Sequence, residues 1–100
     1  MQFLYILTLN EKYHDSNNWT EETNTLLGLH FNYLKDNHEK GVMKHVGRTD
    51  LPYGDNSLHG YVIFEAENEA AAHSIMNNDP AVSSGIMRAQ LLPYIIVFGK

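Results

Sequence analysis

Two segments of this chain, one near each end, carry apolar residues on both faces of an extended strand. Phe3-Leu4-Tyr5-Ile6-Leu7-Thr8-Leu9 is one; Leu91-Leu92-Pro93-Tyr94-Ile95-Ile96-Val97-Phe98 is the other. A strand with one wet face alternates apolar and polar side chains, whereas a strand apolar on both sides is buried on both sides. In a chain of only 100 residues that is demanding. Helices packed on a sheet cover one of its faces, and something else has to cover the other.

The segments between these runs supply the helices and the remaining strands. Glu11 to Trp19 is polar and Asn-rich and reads as a loop. Glu21 to Lys40 reads as an amphipathic helix, with Thr20 as N-cap and Glu21 and Glu22 facing the positive end of the helix dipole. Gly41 is the natural residue to end it. Val42 to Arg48 alternates loosely and reads as a second strand, and Gly60 to Ala66 as a third. Thr49 to His59, with Pro52, Gly54, Asp55 and Asn56, is a long turn-rich loop. Asn68 caps a short second helix through Ala70, Ala71, Ala72, Ile75 and Met76, and Pro80 ends it by holding Asp79 extended. Arg88 to Phe98 is the fourth strand. The order β-α-β-β-α-β is an α+β, ferredoxin-like plan in one domain spanning residues 1–100: a four-stranded antiparallel sheet with both helices on one face. The uncovered apolar face predicts a homodimer in which two sheets pack face to face.

Composition removes several classes of function. There is no cysteine, hence no disulfide, thiolate zinc site or cysteine nucleophile. The formal charge is −5 and the seven Lys and Arg are scattered, which argues against a nucleic-acid groove. Phe3 to Leu9 is too short for a membrane span or a signal-peptide core and has no basic segment before it, so a cytoplasmic protein is expected. The six histidines show no metal-ligand spacing. His30 and His38 are about 12 Å apart by helical rise, too far for one ion.

One residue breaks the apolar face of the first helix. Leu29, Tyr33, Leu26, His30, Leu34, Leu27 and Phe31 share one arc of the helical wheel, and His30 stands in its middle. An imidazole aimed at a core needs a hydrogen-bond partner. Asp79, at the end of the second helix, is the best candidate. Read from the residues alone, such a pair is first of all a stitch between two helices.

The chain also resembles the YciI-related proteins of the dimeric α+β barrel superfamily. The stretches that carry the resemblance are Asn18-Trp19-Thr20-Glu21-Glu22, His30-Phe31-Asn32-Tyr33-Leu34, Glu39-Lys40-Gly41-Val42, Gly47-Arg48-Thr49, Gly60 to Ala66, Asn78-Asp79-Pro80-Ala81-Val82, Gly85-Ile86-Met87 and Leu92-Pro93-Tyr94. The resemblance implies a dimer and a His-Asp active site formed by His30 and Asp79. It names no reaction: one relative eliminates HCl from a chlorinated lactone, and related barrels act as isomerases or cofactor-free monooxygenases.

Acid-base work suits such a pair. An Asp that holds one imidazole nitrogen fixes the tautomer and frees the other nitrogen to move a proton on a small substrate. No cofactor is called for. Arg48 is a candidate to hold a substrate carboxylate, or a lactone that opens to one, and also reads plainly as a strand-end salt bridge. Tyr5 and Tyr61 are candidate pocket residues by strand position. The expected function is elimination, isomerisation or hydrolysis of a small organic molecule; the alternatives are a non-catalytic metabolite-binding module and a purely structural dimer. A structural pair would be packed away from solvent, and a working one would open on a cavity. The Thr49–His59 loop is a candidate lid. Trp19 is expected to staple the start of the first helix.

Overall fold

The computed structural model describes residues 1–99. Its elements run β1 (Gln2–Leu9), α1 (Glu21–Glu39), β2 (Met43–Arg48), β3 (Gly60–Glu65), α2 (Glu69–Asn77), α3 (Pro80–Ser83) and β4 (Met87–Pro93). The four strands form one antiparallel sheet in the order β2-β3-β1-β4, the ferredoxin-like arrangement the element order predicts. β1 and β3 are the central strands. The helices lie on one face, where Phe3, Tyr5, Leu7, Val62, Phe64 and Met43 meet Leu34, Ala72 and Met76 in a single core.

Strand alternation divides the sheet residues cleanly. Phe3, Tyr5, Leu7 and Leu9 of β1 are buried under the helices, while Gln2, Leu4, Ile6 and Thr8 face the other way and are half-buried. β3 repeats the pattern: Val62 and Phe64 point inward, Tyr61 and Ile63 outward. The outer face of β1 and β3 is therefore apolar and carries no helix.

The helix ends follow local chemistry. Thr20 and Thr23 form a reciprocal capping box at the start of α1. At its other end Val42 N–H bonds Asn37 O, Gly41 N–H bonds His38 O, and Gly41 takes φ 81°. That is a Schellman closure, which requires a left-handed residue where Gly stands. It turns the chain sharply from α1 into the edge strand β2.

Four expectations need correction. The polar segment after β1 is not irregular: Asn10 and Asp15 side chains cap two 3-10 turns, Glu11–His14 and Ser16–Asn18, because short polar side chains hydrogen-bond the backbone locally. Pro80 does not simply end a helix. It occupies the first position of α3, with Asp79 as its N-cap, since Pro has no N–H to lose there. The last strand stops at Pro93, five residues early, after one further bond from Tyr94 N–H to Gln2 O. β1 has no more length to pair with, so Ile95, Val97 and Phe98 stand exposed beyond the sheet. The buried stripe of α1 is also narrower than its wheel: Leu29 and Phe31 are exposed, and Thr23 and Leu34 are the buried residues. Leu27, Phe31 and Leu34 of α1 line a cavity shared with the sheet, the site described next.

Candidate active site

A cavity of about 390 Å3 opens between α1 and one end of the sheet. Its floor is Leu7 and Leu9 of β1, Val62 of β3 and Met87 of β4; Val46, Gly47 and Arg48 of β2 form one side. Leu27, His30, Phe31 and Leu34 of α1 form the roof, and Tyr53 and Leu58 of the loop after β2 form the rim. The size suits a small organic molecule, within the roughly 300–1,000 Å3 of ordinary ligand sites. The walls are almost entirely aliphatic or aromatic. Against them stand two nitrogenous groups, the His30 imidazole and the Arg48 guanidinium.

His30 Nδ1 lies 2.6 Å from Asp79 Oδ1. The contact joins the middle of α1 to the junction of α2 and α3, a separation of 49 residues in sequence. Asp79 is completely buried, and the His30 side chain, which lines the cavity, retains 12 % exposure. No described residue hydrogen-bonds the opposite ring nitrogen, Nε2, and no buried side-chain nitrogen or oxygen lacks a partner. Nε2 is thus the solvent-reachable end of the pair.

The Asp79 carboxylate is held on every side. Oδ1 also accepts Ala81 N–H at 3.0 Å, the N-cap bond of α3, and Oδ2 accepts the Tyr5 hydroxyl at 3.0 Å. The Ala81 N–H, the Tyr5 hydroxyl and His30 Nδ1 together satisfy the buried carboxyl group. Burial, and then the Asp79 charge, push the Tyr5 phenol far above the usual tyrosine range, so it stays protonated and donates. The half-buried Tyr33 is raised by the same two causes in the same order, and its hydroxyl donates to Ile75 O at 2.6 Å, tying α1 to α2.

The five residues singled out from sequence thus fall in three places. His30 and Arg48 share the cavity. Asp79 and Tyr5 lie behind His30, both fully buried and neither lining the cavity. Tyr61 points to the opposite face of the sheet, edge-on to His59 with ring centroids 6.4 Å apart. Alternation explains the split: Tyr5 is an inward residue of β1 beneath α1 and α3, and Tyr61 an outward residue of β3. Among the described residues there is no cluster of three or more His, Asp or Glu able to hold a metal ion.

The loop after β2, with Pro52 and Tyr53, is expected from sequence to shape the pocket rim, and Tyr53 does line it. The Tyr53 ring packs on Trp19 at 5.2 Å. Trp19 also donates from Nε1 to Tyr13 O at 2.7 Å, so it fastens the two rim segments to each other rather than stapling α1 alone. Sequence reasoning passed over the Ala81 N–H. Its signal was the Asp-Pro pair itself, which marks a helix start as readily as a helix end.

Comparison with known proteins now adds a family. A model of the YCII-related domain matches residues 1–93. The chain belongs to the YCII-related family. No curated protein matches it by sequence. Among solved structures, it is similar to 5-chloro-2-hydroxyhydroquinone dehydrochlorinase from Burkholderia phenoliruptrix AC1100 in complex with 2,5-dihydroxybenzoquinone, with TM-score 0.68 and 20 % identity over 95 % of this chain and 94 % of that one. At that identity the likeness establishes that the YCII-related protein shares the dehydrochlorinase's fold. In the YCII-related protein, no described helix is long and apolar enough to cross a membrane.

Proposed function

We propose that this YCII-related protein is an enzyme that moves a proton on a small organic anion, with His30 as the acid-base group and Asp79 as its orienting partner. One observation carries the reading: a buried, fully hydrogen-bonded carboxylate holds an imidazole whose other nitrogen opens on an apolar cavity. A pair serving only as a stitch between helices has no need of a cavity at its free end. Tyr5 and Ala81 hold Asp79, Asp79 holds His30 by Nδ1, and Nε2 meets the substrate. Arg48 supplies the positive charge that fixes a carboxylate or an enolate-like oxygen, and the aliphatic walls hold the carbon body and exclude water. Proton removal from carbon or oxygen beside that anion begins an elimination or an isomerisation, and proton removal from a water admitted beside His30 begins a lactone hydrolysis; none of these needs a cofactor. The dehydrochlorinase of the same fold, seen with a ring-shaped dihydroxybenzoquinone, supports a small-molecule role for such a cavity. We place the enzyme in the cytoplasm as a homodimer joined through its helix-free sheet face.

The test uses Trp19 as a reporter, since its ring touches Tyr53 on the cavity rim. Small cyclic carboxylates and lactones are titrated against Trp19 emission for binding, and the mixtures are assayed for consumption. A consumed ligand whose turnover falls on the order of a hundredfold or more in His30→Gln, with binding retained, supports the reading. Arg48→Gln should weaken binding of anions and spare neutral analogues. A ligand bound by His30→Gln and wild type alike and recovered unchanged would instead establish a metabolite-binding module.

A further inference from the structure

We propose that Tyr5 is a positioning residue for the site: its buried hydroxyl holds Asp79 ionised and turned so that His30 carries its proton on Nδ1, leaving Nε2 as a proton acceptor toward the cavity. The catalytic meaning of this assignment rests on the acid-base reading above; the protonation state does not.

The position of Tyr5 is the first ground. It lies on a central strand with no exposure, flanked on the same face by Phe3 and Leu7, and its ring meets the edge of Phe64 at 5.5 Å. A phenylalanine would satisfy that packing. The hydroxyl is an addition in a place where an unpaired polar group is penalised, and its hydrogen-bond partner is Asp79 Oδ2. The second ground is the donor inventory around the carboxylate. Oδ1 faces the Ala81 N–H and His30 Nδ1, and Oδ2 faces the phenol. A proton on Oδ2 would turn the phenol into an acceptor and drive its own hydrogen into the apolar core. A proton on Oδ1 would lie toward His30 Nδ1, and imidazole is ordinarily the stronger base of such a pair, so the hydrogen belongs on the ring. Both protonated forms of Asp79 are therefore disfavoured, and an ionised Asp79 can pair with His30 only if Nδ1 bears the hydrogen. Tyr5 itself cannot give up its proton easily, because burial and the Asp79 charge both oppose it. The chain Tyr5–Asp79–His30 thus has one direction, and it ends in a lone pair on Nε2.

The experiment is nitrogen NMR of the imidazoles in the full-length protein without ligand, wild type beside Tyr5→Phe. We expect neutral His30 in wild type to show a single tautomer with Nδ1 protonated. In Tyr5→Phe the Nε2-protonated form should rise from near absence to a clearly measurable share, with a changed pH profile of both ring nitrogens. A variant that melts lower but keeps the wild-type His30 spectrum overturns the proposal, since a purely structural hydroxyl does only that. If Tyr5→Phe does not fold, 3-fluorotyrosine incorporation decides: its stronger donor should draw charge from Asp79 and move the His30 Nδ1–H resonance upfield, and an unmoved resonance refutes the assignment. No substrate enters either measurement. A failed search for turnover with a shifted tautomer rejects the enzyme and keeps the positioning role; an unshifted tautomer with turnover rejects the positioning role alone.

Discussion

A buried carboxylate with three donors is a costly object to assemble, and the residues around Asp79 show how it is stabilised. His30, Ala81 and Tyr5 each supply one hydrogen, and the apolar surroundings strengthen every one of those bonds. The same environment makes an alkaline prediction. Burial, followed by the Asp79 charge, lifts both Tyr5 and Tyr33 above the ordinary tyrosine value of 10.0. Above that pH the unfolded chain releases these two protons and the folded chain keeps them. Their contribution to stability is therefore complete below pH 10.0 and is lost as pH rises past it. Circular dichroism and tyrosinate absorbance followed together should reveal a late tyrosinate fraction that ionises only as the helical signal collapses. Complete ionisation of a still-folded protein would contradict the burial of Tyr5.

At the level of elements, the two glycines at and beyond the middle of α1 make opposite predictions from similar surroundings. Neither Gly28 nor Gly41 has a neighbour within 4 Å of where a Cβ would stand, so neither substitution creates a clash. Gly41 has φ 81° and closes the helix, and an L-residue is strained there. Gly41→Ala should lower stability by about 1 kcal/mol. Gly28 is exposed within the helix, and Gly28→Ala should raise stability by roughly 0.5–1 kcal/mol through helix propensity. Urea unfolding of the two variants reads both signs. A stabilising Gly41→Ala would mean that α1 does not end as described, and with it that β2 does not turn back to bring Arg48 to the cavity that His30 lines.

For the whole molecule, the decisive surface is the sheet face that no helix covers. Leu4, Ile6, Tyr61 and Ile63 form its apolar centre, and Ile95, Val97 and Phe98 stand exposed past the end of β4. Apolar patches of this kind mark interfaces. Light scattering at micromolar concentration should give a dimer, and Ile63→Lys should shift it to monomer while the far-ultraviolet circular dichroism is retained. A wild-type monomer would end the face-to-face reading.

Much of this protein is legible in its residues because the relevant signals are local. The capping threonines, Gly41, the alternation of β3 and the order of the elements depend on near neighbours in sequence, and the strands and helices follow from them. His30 also announces itself, since an imidazole on an apolar helix face requires a partner somewhere. Other features depend on distances that no local pattern encodes. Where β4 ends was decided by the length of β1 available to pair with it. That Leu27, Phe31 and Leu34 line a cavity depends on where α1 sits over the sheet. Tyr5 and Tyr61 carry the same side chain on adjacent strands, and only the register of the sheet puts one behind Asp79 and the other on the opposite face. Caps, turns and periodicity act over a few residues, so α1, α2, the four strands apart from the end of β4, and the need of His30 for a partner follow from local sequence. That Tyr5 lies behind Asp79 and outside the cavity that His30, Arg48 and Tyr53 line comes from packing between elements far apart in the chain, which no local pattern encodes.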